Sequence, residues 1–369
     1  MTYHAFLIAG FSLLLGLAAG VVMHRADFCI AGMFRDLFLT GVDGMQRSLL
    51  LMIAASMVLL EAGRLAGLLP GMQVLYKTPA LTNLLGGILF GIGMVLAGGC
   101  VVGTLYKMGA GRFPSLLAFF GLLAGSVLYA EIHPVWMAWT DYLKLPVTGK
   151  TLPVHLGLAT TPMIFGLAVI LAVPLWRWLR TGAMVRPSVV SGYLQPWKAA
   201  LLLALIGAAA CGLLGSPMGI TTSYAKMGSW IERLFFPEHV AGLAYFQTET
   251  MMAVERFGGG PLSGGGGPRL DGVVVLQFPL IAGIVLGAAV SAILLGEFRL
   301  SFRLPWRQAF SAVLGGVAMG LASRLAPGCN VWHLLGGGPL LVTQSLLFIL
   351  GLFPGAWLGA RLFVNVVLR

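Results

Sequence analysis

The chain has 369 residues, 58% of them hydrophobic and only 9% charged, with a mean hydropathy of +0.93. Soluble domains carry about 25% charged residues, so a water-soluble globular fold is excluded and membrane lipid is the expected surrounding. The net charge of +11 does not point to nucleic acid, because Lys and Arg fall a few at a time between apolar runs rather than along one stripe.

Met1 to His4 has no basic n-region and no A-x-A site follows the first apolar run, which therefore reads as a retained span. Runs long enough to cross a bilayer can be drawn near 5–23, 45–68, 82–102, 113–131, 162–180, 197–216, 272–296, 308–336 and 340–366. The expectation is an all-α integral membrane protein with about nine transmembrane helices. The third and eighth runs contain Gly or Pro, and the apolar stretches 26–38 and 217–235 are too short to cross. These pieces read as broken or re-entrant helices, which a bilayer accepts only where they are buried in protein or line a cavity.

The strongest internal feature is a repeat. Leu85 to Cys100 aligns without a gap on Leu314 to Cys329, and Ser115-Leu116-Leu117 then answers Ser345-Leu346-Leu347. The chain 1–369 thus reads as a single transmembrane domain of two related halves, about 1–135 and 195–369, joined by a connecting helix near 160–180. Arg177, Arg180, Arg186 and Lys198 have no acid between them, which marks that connector as cytoplasmic. Threading outward from it places the N-terminus in the periplasm and the C-terminus, with Arg361 and Arg369, in the cytoplasm. Lys107, Arg112, Arg299, Arg303 and Arg307 fall inside, and loops 132–160 and 236–271 outside. The halves are then inverted, with their broken helices meeting at the centre, an architecture in which transporters place a substrate site near the midplane.

Cys100 follows Gly98-Gly99 and Cys329 follows Pro327-Gly328, so each thiol stands where a helix is expected to break. The half-helix after such a break aims its free N–H groups and dipole at an anion. A thiol there adds a weak S–H donor and a soft, polarizable atom suited to sulfur ligands. Arg324 and Lys107 flank these two cysteines, and each reads either as a cation that helps admit a dianion or as a structural partner. Cys211 sits in an ordinary apolar run and is expected to pack in the core, and Glu61 with Arg64 is expected to form an ion pair on one helix face. The four cysteines form no C-x-x-C pair, so free thiols are expected.

The residues resemble a known family, the YeeE/YedE membrane proteins associated with sulfur and selenium compounds. The resemblance rests on Arg25-Ala26-Asp27-Phe28-Cys29-Ile30 with Phe34-Arg35-Asp36 and Thr40-Gly41, on Gly93 to Tyr106, and on Arg324-Leu325-Ala326-Pro327-Gly328-Cys329-Asn330. It implies thiosulfate uptake across a bacterial inner membrane through an hourglass-shaped protein. In that family three cysteines on the central path, matching Cys29, Cys100 and Cys329, hand the anion along by hydrogen bonding. It also implies a cytoplasmic TusA-like sulfurtransferase as partner. The expected path residues are thus Cys29, Cys100 and Cys329 with Gly99, Gly328, Arg324 and Lys107.

No catalytic residue, cofactor or metal is expected. His333 with Cys329 falls short of the four ligands of a structural zinc site, and the Gly258–Gly267 stretch lacks the G-K-[ST] of a phosphate cradle and reads as a flexible linker. Two alternatives stay open: transport of a selenium compound or another sulfur species, and a membrane thiol sulfurtransferase or oxidoreductase. The latter chemistry usually needs a paired or resolving thiol, which the sequence does not display.

Overall fold

An apolar run in lipid must close its backbone hydrogen bonds internally, and here it does so as helices. The computed structural model describes residues 3–69, 71–187, 192–254, 260–300, 302 and 304–368. α1 (Tyr3–Ala26) ends in a sharp turn at Asp27, whose φ is 45°, and Cys29 opens the short α2 (Ile30–Thr40). α3 (Gly44–Leu65) and α4 (Leu81–Leu96) follow; Gly98 then takes the left-handed φ of 69° that breaks the third run, and α5 (Val101–Gly109) starts at Cys100. α6 (Phe113–Tyr142), with proline in its first turn, leads through the short α7 (Leu152–His155) to α8 (Thr160–Arg180).

The second part begins with α9 (Pro196–Leu214), stopped by Gly215 at φ 66°, and continues into α10 (Thr221–Phe235). Two short helices, α11 (Pro237–Gly242) and α12 (Ala244–Gln247), lead to a small antiparallel hairpin of β1 (Thr250–Ala253) and β2 (Leu262–Gly264). α13 (Gly272–Leu294) and α14 (Trp306–Leu325) come next. Chain 326–329 unwinds, a wide π-helical turn spans Trp332–Gly337, and α15 (Thr343–Phe363) closes the fold.

Eight helical segments among the described residues are long and apolar enough to cross a membrane, and the chain is an all-α integral membrane protein. The remaining expected run, 308–336, is not among these eight. Its helix, α14, carries Arg307 and Arg324 with several serines and glycines, which dilute its hydropathy. α14 lies against α4 and α6, so protein rather than lipid covers much of it. Arg303 and Arg369 lie outside the described residues.

Tight seams join α4 to α15, α1 to α13 and α6 to α14, where a methyl on Gly87 would strike the Phe348 carbonyl, one on Gly20 the Ile284 carbonyl and one on Gly125 the Val317 carbonyl. Such small-residue stripes let helix backbones touch where lipid supplies no hydrophobic drive between them. Glu61, fully buried, forms the expected pair: Arg64 donates to both its oxygens (2.9 and 2.6 Å), and Thr161 Oγ1 donates to Oε1 (2.6 Å).

The glycine-rich stretch departs from the flexible linker expected of it. Gly258 and Gly259 lie outside the described residues, but Gly264 to Gly267 are packed against Thr248, Phe246 and Asp271. Beneath them Lys226, fully buried, donates to the carbonyls of Gly267 and Arg269 (both 2.7 Å) and pairs with Asp271 at 2.9 Å. Asp271 in turn caps α13 by accepting from the Val273 amide at 2.9 Å. A buried cation satisfied by three acceptors makes this segment a built part of the fold.

Candidate functional site

The three family-motif cysteines each stand at a helix break. Cys29 is the N-cap of α2, Cys100 is the N-cap of α5, and Cys329 immediately precedes the turn of helix that begins at Asn330. All three are buried free thiols. Sequence spacing leaves Cys29 and Cys100 far apart, yet the fold brings their sulfurs to one place. One point locates the pair: a Cβ placed on Gly103 would lie 2.9 Å from Cys29 Sγ and 3.2 Å from Cys100 Sγ. The Gly103 amide donates to Cys100 Sγ at 3.3 Å, so the first turn of α5 presents its dipole to that sulfur. Asn330 lies against Cys100 and is bonded to Cys329 along the chain, which links the second break to the first.

Two cavities approach this centre from opposite ends of α6 and α13. The larger, about 660 Å³, opens at the start of α6 and the end of α13, between Asp27, Tyr106, Arg112, Glu297 and Arg299. The smaller, about 140 Å³, opens at Tyr129 and His133 on α6 and Gln277 on α13, and it reaches Gly328, Thr221 and Arg324. Neither lining includes a cysteine; Asp27 and Tyr106 border the larger cavity and Gly328 the smaller. Lys77 and Arg324 contribute positive charge to the small cavity, and among the described residues no Asp or Glu lines it. The Lys77 ammonium, on the loop before α4, is held below its ordinary pKa by desolvation and then by the Arg324 charge, so the two cations feel each other. A cavity with two cations and no acid favours an anion.

Arg324 is buried and donates to Thr222 Oγ1 (3.1 Å), Tyr245 Oη (3.2 Å) and Thr221 Oγ1. All three partners are neutral, so its charge stays available to an anion. Lys107 behaves differently. Its Nζ donates to the Gly98 carbonyl at 2.7 Å and its charge faces Asp27, which also accepts from Tyr106 Oη at 2.9 Å. Lys107 therefore closes the end of α4 at the break and is already partnered.

Gly328 is required by its φ of 131° and by the Trp332 ring and His333 Nε2, which stand 2.6 and 2.9 Å from where its Cβ would be. At the first break the left-handed conformation falls on Gly98 rather than Gly99, where a Cβ would lie 3.3 Å from the Thr104 amide nitrogen. Cys211 lies apart, buried in a cluster with Leu60, Met72 and Tyr76. His333 accepts or donates at Ser345 Oγ (2.8 Å) and stacks on Phe348, a packing role. Among the described residues, the side chains that gather three potential metal-ligand atoms within 4.8 Å are Glu131, Glu232 and His239, at the far end of α6 from the large cavity. There His239 already bonds Glu131 at 2.7 Å. The sequence reading missed Tyr106, Asn330 and Tyr224 around the thiols. Asn330 had a signal: at this place the first half of the repeat carries the apolar Val101.

A family model described as sulphur transport matches residues 25–358. The thiosulfate transporter TsuA of Spirochaeta thermophila is 31% identical over 364 residues, covering 95% of this chain and 98% of the relative. The thiosulfate transporter TsuA of Escherichia coli is 27% identical over 366 residues, covering 94% and 93%. The probable transporter YedE of Escherichia coli is 29% identical over 133 residues, 36% of this chain and 31% of the relative. The matched span includes Cys29, Cys100 and Cys329, and the chain belongs to the sulphur transport family, the YeeE/YedE membrane proteins.

Proposed function

We propose that this protein takes up thiosulfate across a bacterial inner membrane, passing it from the small cavity to the large one through the waist formed by Cys29, Cys100 and Cys329. The family and its named relatives are transporters, and the chain is a transport protein rather than an enzyme. The observation that carries the reading is the coincidence of three buried thiols with helix breaks between two opposed cavities. Arg324 and Lys77 gather the dianion at the small cavity. The ion then sheds water into the waist, where S–H groups and the first turns of α2 and α5 replace hydration with several weak bonds. Weak donors release what they bind, which conduction needs. On the far side Tyr106 and Asp27 mark the exit into the large cavity.

The inverted-half reading draws support from the packing. Exchange α1 with α9, α2 with α10, α3 with α13, α4 and α5 with α14 and its following turn, and α6 with α15. The contacts α1 on α13, α4 on α15 and α2 on α15 then become α9 on α3, α14 on α6 and α10 on α6, all of which occur. The connecting helix is α8. Arg25, Arg112 and Arg299 line the large cavity, and the connector beyond α8 reaches the same end, where Leu194 bonds the Arg25 carbonyl. The positive-inside rule makes that end cytoplasmic, with the N-terminus periplasmic and a TusA-like sulfurtransferase as the acceptor at the large cavity. Glu61 is closed in its ion pair, which argues for facilitated uptake drawn by consumption inside rather than a proton relay through it.

Purified protein in proteoliposomes tests the reading. Uptake of intact radiolabelled thiosulfate should fall by an order of magnitude or more in each of Cys29→Ala, Cys100→Ala and Cys329→Ala, since a hydrogen bond lost to a charged group costs about 1.5–3 kcal/mol. Cys211→Ala should transport normally. Label held covalently on the protein without uptake, or full activity in all three waist variants, would defeat it.

A further inference from the structure

The waist holds two kinds of polar group, and the thiols are only one. Asn330 is fully buried directly after Cys329, against Cys100, yet neither its Oδ1 nor its Nδ2 has an aligned hydrogen-bond partner. Tyr224, on α10, is also fully buried; its ring meets Phe119 edge-on at 5.6 Å, and its Oη has no partner. It belongs to the same buried cluster as Cys100 and Cys329. Buried amides and phenols are bonded in the great majority of native interiors, so two that lack an aligned partner among the described residues, beside the same thiols, call for a ligand. Packing does not require an amide at 330, because the matching position in the first half is Val101.

We propose that Asn330 Nδ2 and Tyr224 Oη form a hard-donor pair that grips the oxygens of the anion while the waist thiols face its terminal sulfur. The inference rests on the transport reading above and deepens it, by making the centre a two-ended site. An amide offers an N–H donor whichever way it is turned, and a phenol offers an O–H. Both are stronger donors to oxyanion oxygens than a thiol is. Both are neutral, so they bind a dianion without trapping it. An ion with oxygens alone leaves the soft end idle, and one with sulfur alone leaves Asn330 and Tyr224 unpaired in the interior. A site built to hydrogen-bond a substrate group rejects an analogue lacking it, because the site's own buried polar groups stay unsatisfied.

The test uses full-length protein with Asn330→Leu, Tyr224→Phe and Cys100→Ala, and reads two quantities. One is the thiosulfate Kd, from titration of thermal unfolding, alongside the KM of uptake in proteoliposomes. The other is the unfolding temperature with no anion present. Asn330→Leu and Tyr224→Phe should each raise Kd and KM about tenfold or more. Their ion-free unfolding temperatures should stay level or rise, because each removes an unpaired polar group from a buried place. Unchanged Kd and KM in both, while wild type transports and Cys100→Ala does not, would overturn the donor pair and leave the transport reading standing. A fall in ion-free unfolding temperature matching the loss of binding would assign both residues to packing and equally overturn it. Wild type that neither binds nor transports thiosulfate would remove the transport reading itself, and this inference with it.

Discussion

Gly103→Ala places a methyl at the one point from which both Cys29 and Cys100 are reached, 2.9 Å from one sulfur and 3.2 Å from the other. Non-bonded heavy atoms sit comfortably about 3.5–4.0 Å apart, so each sulfur would have to retreat by roughly 0.5 Å. Overpacking of this kind costs about 1–3 kcal/mol, and alanine returns up to about 1 kcal/mol over glycine inside a helix. The fold should therefore survive. The anion fares worse, because the wedge fills the space the two thiols face. Losing one hydrogen bond to a charged ion costs about 1.5–3 kcal/mol, or roughly 10- to 150-fold. Initial rates of labelled thiosulfate uptake, at matched protein in proteoliposomes, should fall at least about tenfold. Gly32→Ala is the control, since its methyl would meet only Cys29 Cβ at an ordinary 3.7 Å; its rate should be that of wild type. If Gly103→Ala transports within about twofold of wild type, the Cys29–Cys100 pair is not a station on the path.

Arg324→Gln should weaken uptake of a dianion by about the square of its effect on a monoanion of similar size, because the same lost potential acts on twice the charge; equal losses with less protein in the membrane would make Arg324 structural. Cysteines introduced at Thr181 or Gly182 should react only from the cytoplasmic side and one at Ser263 only from the periplasmic side, and the opposite labelling would invert the orientation. His239, outside the spans, has its pKa raised by its bond to Glu131. The tie is therefore fully present below the ordinary histidine value of about 6.5 and is lost as pH rises through the elevated one. Unfolding temperature followed across that window should show the loss in wild type and not in His239→Gln.

The helix breaks were legible because glycine and proline punctuate apolar runs locally: Gly98-Gly99 and Pro327-Gly328 announced them before any contact was known. The Glu61–Arg64 pair was legible for the same reason, being a matter of helical spacing. Contact between Cys29 and Cys100 was not, since no periodicity relates residues on α1–α2 and α4–α5; only the packed fold joins them. The sequence left Lys107 open between a free cation and a structural partner because its partner, the Gly98 carbonyl, is a backbone group exposed by the break itself. Tyr224 was hidden by ordinariness, one aromatic in a short helix whose significance lies in the bond it does not make. The Gly264–Gly267 seam misled because composition signals flexibility, whereas here small size admits Thr248, Phe246 and Asp271.

The glycine seams of α4 on α15 and α6 on α14 also bear on how mutations in this protein will distribute. A single base change turns a glycine codon into one for alanine, serine or a larger residue, and at Gly87, Gly125, Gly320 or Gly355 even alanine would drive a methyl into a facing carbonyl. A saturation library scored only for growth would therefore show ladders of intolerant glycines, as severe as the cysteines themselves, along these seams and along the α1–α13 seam, where Gly20 and Gly287 face carbonyls as closely. Only a parallel measurement of protein in the membrane tells the two groups apart. The ladders would lose abundance and transport together, and the waist would lose transport alone.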